Sequence, residues 1–390
     1  MPDRGSVLSP HWASSTAPDI TSDKYFLEKV LETEIAWLDA LASIGVSVQA
    51  TKAKLSQFPV DEEFVLEISK TAWLSANPVV PAVERLKESL DNHAKAENAL
   101  HKGLTSQDVL DCSMMLMAKT TLTQIELDLS KIGDVLKKLA FEHSETPCVT
   151  RTMNRYAEPS LLGFRFASWL EAVGQAKADI EITKRQIPAQ MGGASGNRFG
   201  LLGFVNSNEI ATLVESFADN LGLDVPKTSW HTNRIPVLRV ANAIASASSV
   251  FTTLAKNLVN LGSPEVAEIV EKLEKGQGSS SSMPHKKNPT KSILAKSAGI
   301  RVPGVMAQIH ASATSQDERG AGEWNAEWEP VRDLQRLVLG QANLVADVLE
   351  GMQVNVDAVG RNLQNSSLPQ LRPTEEAKAY MQSEIKRITS

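Results

Sequence analysis

Between Pro81 and Pro147 the sequence contains no proline. Within that stretch Val109, Ser113, Leu116 and Thr120, then Leu122, Ile125, Leu129, Ile132, Leu136 and Leu139, recur every three or four residues. That spacing puts them on one face of a helix. Thr105, Ser106 and Asp108, all residues that favour helix starts, stand just ahead. The pattern predicts one helix from about Gln107 to Glu142. At about 1.5 Å per residue it would reach about 50 Å. Few compact globules need such a rod, whereas helical bundles are built from them.

The rest of the chain agrees with an all-α architecture. Apolar-periodic stretches run over Glu158–Arg185, Val237–Leu261, Thr290–Arg301 and Gly304–Leu349, the last with a break expected near Ser315–Gly322. Ala241, Ala243, Ala245 and Ala247 suit close helix packing. Aromatic residues make up only 5% of the chain, and alternating β-branched runs are almost absent. Two shorter helices, Lys24–Ile44 and Asp61–Ala76, predict a small N-terminal helical domain over 1–97. A central long-helix bundle over 98–348 and a short C-terminal helical domain over 349–390 complete the expected layout.

Composition excludes several classes of function. A net charge of −6 with no dense Lys/Arg cluster argues against a nucleic-acid partner. No run approaches the roughly 18 apolar residues of a membrane span, and the polar N-terminus, with Pro2, Pro10 and Pro18, lacks the apolar stretch of a signal peptide. The two cysteines, Cys112 and Cys148, form neither a disulfide framework nor a metal knuckle. A cytoplasmic protein without metal or cofactor is expected, with Cys112 as buried packing.

Five loops could carry chemistry. His101-Lys-Gly-Leu-Thr105-Ser106-Gln-Asp108-Val-Leu-Asp111 places hydroxyls and free N–H groups at a helix start, which suits an anion, although simple capping explains it too. Arg151-Thr152-Met153-Asn-Arg-Tyr156 offers guanidinium groups for carboxylates, or is a solvated turn. Gly192-Gly193-Ala-Ser195-Gly196 permits close backbone approach, or is a flexible turn. Trp230-His231-Thr-Asn-Arg234 is polar and loop-borne, or a cap with a satisfied histidine. The fifth runs from Gly276 to Pro289. Its Gly/Ser half reads as a linker. Its second half, Met283-Pro-His-Lys286-Lys-Asn288-Pro289, ends on a helix start, with Asn288 as a good N-cap and Pro289 as a good first residue. Lys286 and that helix dipole would make a positive pocket beside the serines, able to stabilise an alkoxide or a developing enolate.

These five loops, in this order on long helices, resemble the fumarase/aspartase superfamily. Its Gly-Ser-Ser-x-Met-Pro-x-Lys-x-Asn-Pro signature is matched over Ser279–Pro289, with Ser279 in place of the glycine. The similarity covers roughly residues 22–363. Within the superfamily, the His101–Asp108, Gly192–Gly196 and Trp230-His-Thr segments look like the branch that closes 3-carboxy-cis,cis-muconate to a carboxymuconolactone in protocatechuate catabolism. So does the region from Asp317-Glu-Arg319 through Trp328.

The resemblance implies anti addition or elimination beside a carboxylate, through an aci-carboxylate intermediate. It gives catalytic roles to Ser280, which exchanges the proton at carbon, and to Lys286. Substrate contacts fall to His101, Thr105, Ser106, Arg151, Thr152, Tyr156, His231, Arg234, Ser281, Met283 and Asn288. The partner is a small polycarboxylate, and each site is shared by three subunits of a homotetramer.

Two absences favour ring closure. Many C–N and C–O lyases of the superfamily carry a Glu seven residues after the loop lysine, where this chain has Ile293, and a His after the Arg-Thr pair, where it has Met153. Amine or hydroxide leaves badly unprotonated, so those lyases need an acid. A substrate carboxylate with a pKa of about 4 is already ionised and closes a lactone without one. Two departures run the other way: Tyr156 and Asn325 stand where the branch often has histidine. The alternatives are a fumarate-releasing C–N lyase such as adenylosuccinate lyase, with His101 or His231 as its acid, and a retired lyase serving as a binding scaffold.

Overall fold

The computed structural model describes residues 7–46, 49–90 and 99–390, with the side chains of 49–51 set aside. Thirteen α-helices lie among these residues: α1 (Ala17–Ile20), α2 (Asp23–Ser43), α3 (Gln49–Leu55), α4 (Glu62–Thr71), α5 (Val79–Ser89), α6 (Ser106–Glu142), α7 (Leu162–Arg185), α8 (Ile210–Leu221), α9 (Ile235–Leu261), α10 (Thr290–Ser312), α11 (Glu323–Gly351), α12 (Val356–Asn365) and α13 (Glu375–Thr389). The protein is mostly helical, as expected. The expected boundary between residues 97 and 98 lies outside the described residues, as does Pro2.

The long rod of the sequence analysis is α6, 37 residues and thus about 55 Å. Its apolar face is fully buried at Leu122, Ile125, Leu129, Ile132 and Leu136. Each such side chain contributes about 1.5–3 kcal/mol when removed from water. That face packs on α7 and α11, while α9, α10 and α11 complete the bundle. Polar ties fix the register. The fully buried Gln341 of α11 accepts from Ser248 Oγ (2.6 Å) and donates to Thr252 Oγ1 (2.9 Å) of α9 and to the Ala295 carbonyl (3.0 Å) of α10. Thr121 of α6 donates to Gln335 of α11 at 2.7 Å. Gly299 of α10 abuts Thr252 so closely that a Cβ there would fall 1.8 Å from the threonine hydroxyl.

By length and composition α9 could cross a membrane, although the sequence shows no unbroken apolar run of that length, and half of its most apolar stretch is buried inside the bundle. Such a helix is also what a bundle core requires.

Three boundaries differ from the sequence reading. Helix α10 continues through Pro303 to Ser312 instead of stopping near Arg301. Proline there frees only the carbonyl four residues back, that of Gly299, and Val302, Val305 and Met306 bury the following turn. The N-cap of α10 is Pro289 rather than Asn288. The stretch Glu158–Leu161 is strand, not helix, because Pro159 disfavours helical geometry at the residue before it. It belongs to an antiparallel hairpin of β1 (Pro147–Thr152) and β2 (Arg155–Leu161). A second small ribbon pairs β3 (Ile269–Val270) with β4 (Gln353–Val354).

Candidate active site

The residues singled out by sequence fall into two groups at opposite ends of the bundle. His101, Thr105, Ser106, His231 and Arg234 surround the N-terminus of α6. Arg151, Thr152 and Tyr156 lie beyond its C-terminus, with the serine loop at the same end. The same polarity holds along α9, which begins after Arg234 and ends where Leu258 and Gly262 line a cavity with Gly276, Lys287 and Pro289.

The first group is organised around Asp108, which is fully buried. Its carboxylate accepts from the backbone N–H of Thr105 (3.0 Å), Gly192 (2.8 Å) and Gly193 (2.9 Å), and contacts His231 Nε2 at 2.8 Å. Donors thus reach both of its oxygens. A Cβ at Gly192 would meet Ser229 Oγ at 2.4 Å, so only glycine lets that loop approach. Nδ1 of His231 is buried without a partner. Arg319 donates to Thr105 Oγ1 (3.0 Å), Gln107 (3.0 Å) and the Ala194 carbonyl (3.2 Å), joining the loop after α10 to the start of α6.

Beside it, Arg234 is buried and fully engaged. It donates to both oxygens of Asp111 (2.7 and 3.1 Å) and of Glu327 (3.0 and 2.5 Å). Burial pushes the Glu327 carboxyl up, only partly offset by Arg234. Trp324 Nε1 also donates to Asp111. His101 Nδ1 lies 2.6 Å from the fully buried Glu34. Burial disfavours the charged ring, but Glu34 outweighs it and raises the pKa. Thr105 and Ser106 remain half-buried.

At the other end, Met153 and Asn154, with φ of 50° and 58°, turn the β1–β2 hairpin, and Thr152 pairs with Arg155 across it. Arg151 lies bidentate on Glu268 (3.2 and 2.6 Å), with its guanidinium 5.5 Å from the Tyr156 ring centroid. The serine loop is pinched at its base, where Asn288 donates to the Gly278 carbonyl from its backbone (3.0 Å) and its side chain (3.3 Å). Ser280 Oγ accepts from the Met283 N–H at 3.2 Å. Ser281, Met283 and Lys286 are exposed. The start of α10 is occupied: Glu271 accepts from the N–H groups of Lys291 (3.0 Å) and Ser292 (3.1 Å) and from Ser292 Oγ (2.5 Å). The dipole expected to reinforce Lys286 is thus met first by Glu271.

A family model described as "Lyase" matches residues 12–304. The chain belongs to that lyase family. It is an enzyme of the fumarase/aspartase superfamily. Over 363 residues it is 32% identical to nitrosuccinate lyase of Streptomyces davaonensis, an alignment covering 92% of this chain and 76% of that protein. It is likewise 32% identical to 3-carboxy-cis,cis-muconate cycloisomerase of Pseudomonas aeruginosa over 349 residues, 88% of this chain and 74% of that one. The crystal structure of 3-carboxy-cis,cis-muconate lactonizing enzyme from Pseudomonas putida superposes with a TM-score of 0.82 at 26% identity, covering 98% of this chain and 87% of the other.

The sequence reading did not single out Glu268, and it named Asp111 and Glu327 only as members of the first loop and of the Asp317–Trp328 segment, without a role. Asp108 carried a local signal as the third residue of α6, where an acid closes a capping box. Glu268 carried none, being one acidic residue among Glu265, Glu271 and Glu274 in the same segment. Both cysteines are buried, and burial pushes the Cys112 thiol well up and that of Cys148 to about 11.

Proposed function

We propose that this enzyme converts 3-carboxy-cis,cis-muconate to 4-carboxymuconolactone. Arg151, Thr105, Ser106, Lys286 and Asn288 hold the three substrate carboxylates. One carboxylate adds to the conjugated double bond, and Ser280 delivers a proton to the resulting carbanion. Because the Thr105 group and the Arg151 and Ser280 groups lie at opposite ends of one bundle, a complete site draws on other copies. The reading is therefore a homotetramer with each site shared by three subunits, working in the cytoplasm in protocatechuate catabolism.

One observation carries this reading. The serine loop is present, while the two positions that would supply a leaving-group acid hold side chains without protons to give. Met153 is 97% exposed at the hairpin tip, and Ile293 is 44% exposed in the first turn of α10. The two histidines left for that role each face a buried carboxylate, His101 on Glu34 and His231 on Asp108. Intramolecular addition of a carboxylate needs no acid at the leaving group.

A second reading is favoured by the 92% of the chain that aligns with nitrosuccinate lyase. A nitro substituent departs as nitrite, a stable anion, so this elimination also proceeds without a strong acid. The two are separated by supplying each compound and following loss of diene absorbance or appearance of fumarate. Turnover of carboxymuconate is expected, and Ser280→Ala should lower it by about 10²–10⁴-fold, the range for a positioned proton-transfer group. Fumarate from nitrosuccinate without diene loss would move the assignment to the second reading. Unimpaired turnover by Ser280→Ala would remove that serine from the mechanism.

A further inference from the structure

The cluster around Glu268 is built more fully than a salt bridge requires. Its carboxylate side chain is 1% exposed and is shared by two guanidinium groups, Arg151 (16% exposed) and Arg165 (18% exposed). Arg165 adds a bond at 3.2 Å and ties back to the β1 backbone through the Val149 carbonyl (3.1 Å). Asn362 of α12 donates to the same carboxylate at 2.9 Å. Two cations on one anion leave the cluster a net positive charge. Both guanidinium groups keep more exposure than the carboxylate between them, so an incoming carboxylate meets cations before Glu268. A planar guanidinium held bidentate on one edge is fixed in angle, so its remaining N–H groups point in one direction.

Glu268 is also close in sequence to the serine loop. Three residues on, Glu271 caps α10, and between them β3 pairs with β4. One short segment thus anchors the Arg151 hairpin at one end and the helix start behind Ser280 and Lys286 at the other.

We infer that Glu268 is the positioning residue of the Arg151 carboxylate grip, holding that guanidinium in register with the serine loop through the Glu268–Glu271 segment. It touches no substrate itself and acts through Arg151. This rests on the proposed reading only in treating Arg151 as a substrate contact, and the ligand class is any small tricarboxylate.

The experiment is a double-mutant cycle on the full-length protein with Glu268→Gln, Arg151→Ala and their combination. The binding probe is propane-1,2,3-tricarboxylate, read as a rise in Tm, since a ligand specific to the native state raises it. Kinetics with 3-carboxy-cis,cis-muconate run alongside. The probe is expected to raise the Tm of the unmodified protein. Each single variant should lose most of that shift and show at least a tenfold higher KM with a smaller change in kcat. The combination should be no worse than Arg151→Ala alone, because residues acting as one unit are not additive. If Glu268→Gln fails to fold, Asn362→Ala should give a smaller loss of the same kind that vanishes in the Arg151→Ala background. Losses that add, a full Tm shift in Glu268→Gln, or no shift in the unmodified protein would each overturn the inference. A coupled Tm effect without turnover of carboxymuconate would uphold it and sink the substrate assignment instead.

Discussion

The two ends of the bundle solve different problems. Around Asp108 and Arg234 the central charges are buried and answer one another: one aspartate meets three backbone amides and a histidine, and one arginine meets two carboxylates, while the half-buried Arg319 at the rim meets only neutral oxygens. Around Glu268 and Ser280 the carboxylate is buried but its two arginines keep some exposure, Lys286 is exposed, and the serines sit on a loop closed at its base. The first end is a scaffold with half-buried hydroxyls at its rim. The second has cationic groups left for a ligand. In the proposed shared site, a polycarboxylate would gain most from the second end of one copy and be oriented by the first end of another.

The comparison breaks most severely at Arg234. Arg234→Met would leave Asp111 and Glu327 buried without their cation, and losing one partner of a buried pair costs about 3–5 kcal/mol. Thermal unfolding should show a large drop in Tm, with activity lost through unfolding. A variant as stable as the parent, impaired only in KM, would return Arg234 to the substrate contacts expected from the sequence.

A smaller and purely local effect is expected at the loop base. Gly278 has φ of 71°, and a Cβ there would lie 2.7 Å from the Asn288 carbonyl and 2.7 Å from Leu273. A left-handed residue costs roughly 1–2 kcal/mol with a side chain. Gly278→Ala should therefore reopen the pinch made by Asn288 and cut turnover, while Tm falls only modestly because the strain is confined to the loop base. Equal losses in both would show that the loop base also supports the fold.

The smallest effect concerns pH. Glu34 raises the pKa of His101 above its ordinary 6.5. The stabilisation is complete below 6.5 and fades as pH climbs through the raised value. His101→Asn should lower Tm at pH 6 and do less harm at pH 9. A difference that grows on the alkaline side would contradict the assigned pairing.

Helices were the most legible part of the chain. The boundaries of α6 and α9 follow their apolar spacing and capping residues to within one or two positions. The β1–β2 hairpin was not legible. Its strands read Pro-Cys-Val-Thr-Arg-Thr and Arg-Tyr-Ala-Glu-Pro-Ser-Leu, without alternation, and its turn is Met-Asn rather than Asn-Gly. The serine loop was legible by composition and motif, but not the capture of Asn288 by Gly278 or of the α10 N-terminus by Glu271.

What the sequence alone determined is therefore local. A proline-free apolar period makes α6 a rod, and Met153 and Ile293 carry no proton to give whatever the packing. Only the tertiary structure decided partners and distances. It sent Arg234 to Asp111 and Glu327, gave Arg151 to Glu268, and set the Thr105 and Ser280 groups at opposite ends of the bundle. The physical reason is range. Helical period and capping act within a few residues, whereas a buried charge selects its partner across more than a hundred positions, by which helix faces come to lie together.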